Sequence, residues 1–142
     1  VMRSQYSLGK LYSYGHGVSK DEKRAFMWIS KAAEQGLDKA QYNLGKMYRD
    51  GDGVGKDDEA AARWFLVAAE QGYAKAQNHI GVRLARGEGI AKDEVQALMW
   101  LTLAARQGHT AARDNQKALA KKLGIAGRDE AERRARQWKS GK

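Results

Sequence analysis

A long motif occurs three times in this chain, at a fixed period of thirty-six residues. The middle copy, Asp38 to Gly72, reads DKAQYNLGKMYRDGDGVGKDDEAAARWFLVAAEQG. Gly9, Gly45 and Gly81 stand in register, as do Gly15, Gly51 and Gly87, and Gly17, Gly53 and Gly89. Asp21, Asp57 and Asp93 follow, then Ala25, Ala61 and Ala97, then Trp28, Trp64 and Trp100. Each unit closes on an alanine pair and Gln-Gly, as Ala68, Ala69, Gln71 and Gly72 do in the middle copy. A fixed period of about 20–50 residues leaves few architectures open. Each unit is one supersecondary element whose apolar face is buried only by stacking on its neighbours.

Within a unit the spacings are those of two helices. Ala61, Trp64, Phe65, Ala68 and Ala69 fall at i, i+3, i+4, i+7 and i+8, one apolar stripe at helical period. Asp57 stands ahead of it as an N-cap, with Asp58 and Glu59 in a first turn where the helix dipole favours negative charge. Gly72 follows as the left-handed residue past the C-terminus. Ala40, Leu44, Met47 and Tyr48 make a second stripe, on a helix that Gly51 ends. Gly51-Asp52-Gly53-Val54 is then a tight turn using positive φ, and it returns Val54 to the core. Gly45 interrupts the first helix. A mid-helix glycine costs about 0.5–1 kcal/mol relative to alanine. Its recurrence at positions 9, 45 and 81 therefore predicts a neighbouring helix passing where no Cβ fits. The pair Ala68-Ala69 allows the same on the second helix.

The run A-x-x-x-L-G-x-x-Y-x-x-G-x-G-V-x-x-D, then A-x-x-W and A-A-x-Q-G, resembles the Sel1-like repeat, a relative of the tetratricopeptide repeat. Here it is carried by Ala40, Leu44, Gly45, Tyr48, Gly51, Gly53, Val54, Asp57, Ala61, Trp64, Ala68, Ala69, Gln71 and Gly72. The resemblance implies an all-α chain wound as a right-handed α/α superhelix, with a role as adaptor or scaffold in protein complexes and no catalysis. Some proteins of that kind carry a disulfide in each repeat; this chain has no cysteine.

The composition agrees with a helical reading. Proline is absent, and no stretch alternates as a strand would. At 142 residues the chain is expected to form one domain, 1–142, of about three and a half repeats. The repeats run at about 1–36, 37–72 and 73–108, with a partial repeat and capping helices over 109–142. Without cysteine there are no thiolate metal sites or cysteine nucleophiles. No apolar run reaches membrane-spanning length, and no signal peptide is recognisable. Ser4 stands where the later units have Ala40 and Ala76, so the first repeat looks clipped, which leaves room for an upstream signal peptide or further repeats. The expected setting is a bacterial periplasm or cytoplasm, the periplasm favoured if a signal peptide has been removed. The incomplete first unit also offers an end for self-association.

The units are not identical. Ile80, Leu84 and Ile90 replace leucine, tyrosine and valine in the third, and its second helix is the most apolar, with Leu98, Met99, Trp100, Leu101 and Leu103. That predicts deeper burial or a strip awaiting a partner. From His109 the repeat begins again and fails, with Gln116 and Lys117 where leucine and glycine belong. Ala112, Leu119 and Leu123 still allow a helix ended by Gly124. A last helix is expected over about Asp129 to Lys139, with Asp129 and Glu130 in its first turn and Ala131, Ala135 and Trp138 on one side. It reads as a cap hiding the final apolar face. Net charge is +9, and from Arg113 onward ten basic residues face four acidic ones, so the repeats themselves carry about +3.

Chemistry-bearing patterns fail on inspection. The Gly-x-Gly pairs follow no strand, lack a third glycine and precede no Gly-Lys-Ser/Thr, so they are not a phosphate loop. Asp50, Asp52 and Gly55 imitate a calcium loop, but Val54 takes a ligand position and Ala61 the place of the bidentate glutamate. His16, His79 and His109 lie in three units without metal-ligand spacing and read as surface or helix-start residues. The carboxylates Asp57, Asp58 and Glu59 are explained by capping, and Trp28, Trp64 and Trp100 by core spacing. No cofactor, metal or small-molecule substrate is expected.

One pattern remains. On the first helices the face opposite the core carries Arg3, Ser7, Lys10 and Tyr14, then Lys39, Asn43, Lys46 and Asp50, then Lys75, His79, Val82 and Arg86. Core identities persist from unit to unit while these vary, as on a binding surface built over a constant scaffold. By analogy with tetratricopeptide-like solenoids, this face lines a concave, mainly basic groove. A non-catalytic protein–protein interaction module taking an acidic protein or peptide is the expected function. An anionic nucleic acid or membrane surface bound through the basic region Arg128–Lys142 is the alternative, with nucleic acid the weaker of the two, and an immunity-type inhibitor of a secreted effector stays open.

Overall fold

The structure, a computed structural model, describes residues 2–14 and 21–139, with Ser13 and Tyr14 as backbone only. The Tyr14 side chain and Gly15, His16, Gly17 and Val18 of the first turn thus lie outside the described residues. Every regular element among them is an α-helix: α1 Met2–Tyr14, α2 Glu22–Glu34, α3 Asp38–Asp50, α4 Asp58–Glu70, α5 Ala74–Arg86, α6 Glu94–Arg106, α7 Thr110–Lys122 and α8 Ile125–Gln137. Two helices per 36 residues is the unit read from the sequence. The chain divides into two compact units, Val1–Val67 and Ala68–Lys142.

In the first unit α1 pairs with α2 and α3 packs back on α2. Ala25, Ile29, Ala32, Ala33, Ala40, Leu44 and Met47 form the buried core, ringed by Tyr6, Phe26, Tyr48 and Trp64. The aspartates cap as their position predicts: Asp21 Oδ1 accepts from the Arg24 amide at 3.2 Å and Asp57 Oδ1 from the Ala60 amide at 3.0 Å. Gly51 ends α3 at φ +76°, in the left-handed region. The turn leaves Val54 half-buried rather than fully in the core.

The glycine inside each first helix marks the close approach. A Cβ on Gly9 would stand 2.5 Å from Ile29 Cγ1, and one on Gly45 2.7 Å from Phe65 Cε1. In the second unit, one on Gly81 would stand 2.8 Å from Leu101 Cγ. Tryptophan burial is less uniform than the spacing predicts. Trp100 is buried, but Trp28 and Trp64 are half-buried, and Lys31 Nζ lies 4.8 Å from the Trp28 ring centroid. Trp138 covers Trp100, whereas Trp28 and Trp64 sit at the rim of the core.

In the second unit α5 pairs with α6, and α7 and α8 also pack on α6. Helix α6 is therefore surrounded: Leu98, Met99, Trp100, Leu101, Thr102 and Leu103 are all buried. Its apolar strip is covered by the chain itself. Helix α8 starts at Ile125, four residues earlier than the acidic pair at 129–130 implied, because the Arg128 amide already donates to Gly124 O at 3.0 Å. Asp129 and Glu130 consequently lie past its start, and Glu130 binds Arg133 and, at 2.7 Å, Arg134. Ala131 and Ala135 are buried as expected, and Trp138 meets Trp100 edge to face at 5.9 Å.

Glutamines tie successive elements in both units. Gln41 Nε2 donates to Ala33 O and Gln77 Nε2 to Ala69 O, each at 3.2 Å. Gln35 Nε2 donates to Gln5 Oε1 at 2.6 Å, and Gln107 Nε2 to Gln77 Oε1 at 2.9 Å. The Gln41 and Gln77 position thus satisfies a buried carbonyl at the end of a second helix, while Gln35 and Gln107 bond to the neighbouring glutamines.

Candidate protein-interaction surface

The helical stripes decide which first-helix residues remain outside. With Leu44 and Met47 turned inward, Lys39, Asn43, Lys46 and Asp50 take the opposite side of α3, and none of the four is buried. Arg3 and Ser7 are exposed on α1 and Lys10 is half-buried; Tyr14 has no described side chain. In the second unit Lys75 and Arg86 are exposed on α5, with His79 and Val82 half-buried.

In the first unit the structure joins several of these through two tyrosines that spacing did not single out. Lys10 Nζ lies 5.8 Å from the Tyr6 ring centroid, one helical turn away, and Lys46 Nζ 4.8 Å from that of Tyr42. Asn43 Nδ2 donates to the Tyr6 hydroxyl at 2.9 Å and to Lys39 O at 2.8 Å, linking α3 to α1. Burial raises the pKa of the Tyr42 phenol, opposed by Arg49. Asp50 does not stand as a lone carboxylate on this face. Arg49 Nε reaches its Oδ1 at 2.8 Å and Arg49 Nη2 its Oδ2 at 3.0 Å. That bidentate pair holds Asp50 below the usual carboxylate range, helped by Lys46 and Lys56.

The second unit repeats the helix-to-helix link with other chemistry. Asn115 Nδ2 on α7 donates to Asn78 Oδ1 on α5 at 3.0 Å, thirty-seven residues apart like Asn43 and Tyr6. His79 Nδ1 meets Lys75 O at 2.9 Å. His109 is a helix-start residue, its Nδ1 accepting from the Ala112 amide at 3.1 Å. A period search finds Tyr6, Tyr42 and Asn78 in register; their role was hidden because they adjoin the core stripe.

Two-helix units repeated in register, with a constant interior and a variable polar face, define an α/α repeat scaffold. The Sel1 repeat family model matches residues 3–37, 38–73 and 74–109, and the chain belongs to that family. The chain is similar to a Sel1 repeat protein from Oxalobacter formigenes, at 40% identity and a TM-score of 0.79 over 81% of this chain and 47% of that one. It is also similar to a protective antigen of uropathogenic Escherichia coli strains displaying an SLR fold, at 30% identity and 0.67, over 96% of this chain and 37% of that one. Helicobacter pylori cysteine rich protein B matches at 25% identity and 0.66, over 80% of this chain and 87% of that one. The chain thus spans less than half the length of the first two. A comparison with curated proteins finds no match. Sel1 repeats mediate protein–protein interactions, and proteins built from them are typically non-catalytic scaffolds. Among the described residues no helix is long and apolar enough to cross a membrane.

Proposed function

We propose that this chain is a non-catalytic adaptor that binds an acidic segment of a protein partner along its basic first-helix face, the side expected to be concave. The observation that carries this reading is the pair of lysines laid over tyrosine rings in two successive repeats and stitched together by Asn43. Each ammonium is held near an aromatic face on the first-helix side. Arg3 and Lys39 add positive charge from the same side, and the only carboxylate on α3's outward face, Asp50, is occupied by Arg49. The tyrosine hydroxyls and Asn43 give such a surface directionality that scattered lysines lack.

The alternative, an anionic surface bound through the basic C-terminal helix, is weakened by ion pairing. Arg133 and Arg134 are engaged by Glu130, and Arg106 by Glu132, with Arg136 4.0 Å from the same carboxylate. The test is binding to an array of acidic peptides at 0.05 M and about 0.5 M salt, where screening shortens from beyond 10 Å to below about 5 Å. The wild type should retain a subset of peptides at low salt and release them at high salt. Lys10→Glu/Lys39→Glu/Lys46→Glu should lose that subset by at least tenfold. Equal retention by this variant would remove the first-helix face from the interaction.

A further inference from the structure

The place where the repeat breaks down holds a cleft. In each of the three repeats a glycine lets the first helix close against its own second helix, as Gly81 does beneath Leu101. The equivalent position on α7 is Lys117, preceded by Gln116 where the repeats have an apolar residue. Lys117 places a full, exposed side chain at that point. Helix α8 packs on α6 instead, the helix of the preceding repeat. The result is a trough of about 520 Å³ between α7 and α8, lined by Leu98, Thr102, Gln116, Lys117, Ala120, Arg128, Asp129 and Glu132. That volume lies within the range of about 300–1,000 Å³ typical of ligand sites.

The lining is ordered by chemistry. Leu98 and Ala120 are its apolar surface, and Gln116 Nε2 donates to the buried Thr102 Oγ1 at 3.1 Å. Lys117 from α7 and Arg128 from α8 flank it. Neither engages an ion pair or side-chain hydrogen bond among the described residues. Glu132 is already neutralised by Arg106, which leaves Asp129 as the lone opposing charge. Two cations on facing walls over an apolar floor complement carboxylates on either side of an aliphatic group. The walls are exposed, so the trough is too open to enclose a small molecule, whose surface a pocket normally buries by about 70–90%. It suits an extended chain lying between two helices.

We propose that the α7–α8 trough binds a short acidic peptide segment, with Lys117 and Arg128 receiving carboxylates and an aliphatic side chain seated on Leu98 and Ala120. This site is separate from the face of α1 and α3, and its test is independent of it. A phage-displayed library of random heptapeptides is panned on the full chain and counter-selected on Lys117→Glu/Arg128→Glu. Both replaced residues are exposed, and far-UV circular dichroism checks that the helices persist. The surviving peptides should carry acidic residues about an aliphatic one. Their fluorescence anisotropy should show binding reduced at least tenfold by Lys117→Glu/Arg128→Glu and unchanged by Lys10→Glu/Lys46→Glu. Their amide shift changes should fall at Leu98, Thr102 and Ala120. No peptide surviving the counter-selection, survivors without acidic residues, or binding lost in Lys10→Glu/Lys46→Glu would each overturn the proposal.

Discussion

Replacing Gly45 by alanine sets two opposing effects against each other, and the geometry decides between them. In an unobstructed helix interior the change stabilises by about 1 kcal/mol, because glycine loses more backbone freedom on folding. At Gly45 the new Cβ would lie 2.7 Å from Phe65 Cε1, 2.8 Å from Cδ1 and 3.2 Å from Cγ, well inside van der Waals contact. Phe65 has no exposed surface through which to yield. Forcing a methyl into such a site costs about 1–3 kcal/mol in strain, and since several ring atoms clash at once the upper half of that range applies. The net expectation is a loss of about 1–2 kcal/mol. Gly127 in α8 is the control, because a Cβ there meets nothing nearer than Leu123 Cβ at 3.7 Å. Gly127→Ala should therefore gain about 0.5–1 kcal/mol from propensity alone. Urea unfolding followed by far-UV circular dichroism measures both. On a Phe65→Ala background the cost of Gly45→Ala should shrink by at least about 1 kcal/mol, as coupling between touching residues requires. If Gly45→Ala raised the midpoint as Gly127→Ala does, the close-approach account of the repeat glycine would be refuted.

Two further perturbations probe the polar framework. Gln77→Met keeps the volume but leaves Ala69 O without its donor and removes one of the two acceptors of Gln107, costing about 1–3 kcal/mol in urea unfolding. Gln35→Met, at the more exposed pair with Gln5, should stay within about 0.5 kcal/mol. Asp50 supplies a pH signature. Its folded-state pKa is lowered by Arg49, so its contribution is complete above the ordinary carboxylate value near 3.9 and is lost as pH falls through the lowered one. Arg49→Met should thus flatten the decline of thermal stability on the acid side, with little effect at neutral pH beyond the lost pair.

The helices and their partners were legible because the same constraints were stated three times. A glycine at 9, 45 and 81, an aspartate at 21, 57 and 93, and an alanine pair before each Gln-Gly cannot recur by chance, and each has one physical use in a helix pair. The start of α8 was misplaced because acidic residues at 129–130 look like a first turn. With only Leu123 and Gly124 between the helices, the chain instead enters α8 at Ile125, and those carboxylates serve ion pairs further along it. Tyr6 and Tyr42 escaped the reading of the outward face for a different reason. Tyr42 is buried and Tyr6 half-buried, so neither belongs to the outward positions that spacing defines, although both rings lie under lysines of that face. Spacing alone places Asp50 on the outward face, but its sequence neighbour Arg49 pairs with it.

The division of labour within the repeat follows from which contacts tolerate change. Gly45 leaves no room for a Cβ beside Phe65, and Gln77 satisfies a buried carbonyl, so glycine recurs at 9, 45 and 81 and glutamine at 5, 41 and 77, while the residue packed on the glycine is Ile29, Phe65 or Leu101. The link between neighbouring first helices is looser. Asn43 to Tyr6 and Asn115 to Asn78 span the same thirty-seven residues with different acceptors, since a half-exposed hydrogen bond demands only a donor and an oxygen. Surface chemistry can therefore vary along the first helices without disturbing the scaffold. Lys117 shows the converse. It stands where the close approach requires glycine, and there α8 packs on α6 and a charged trough opens beside α7.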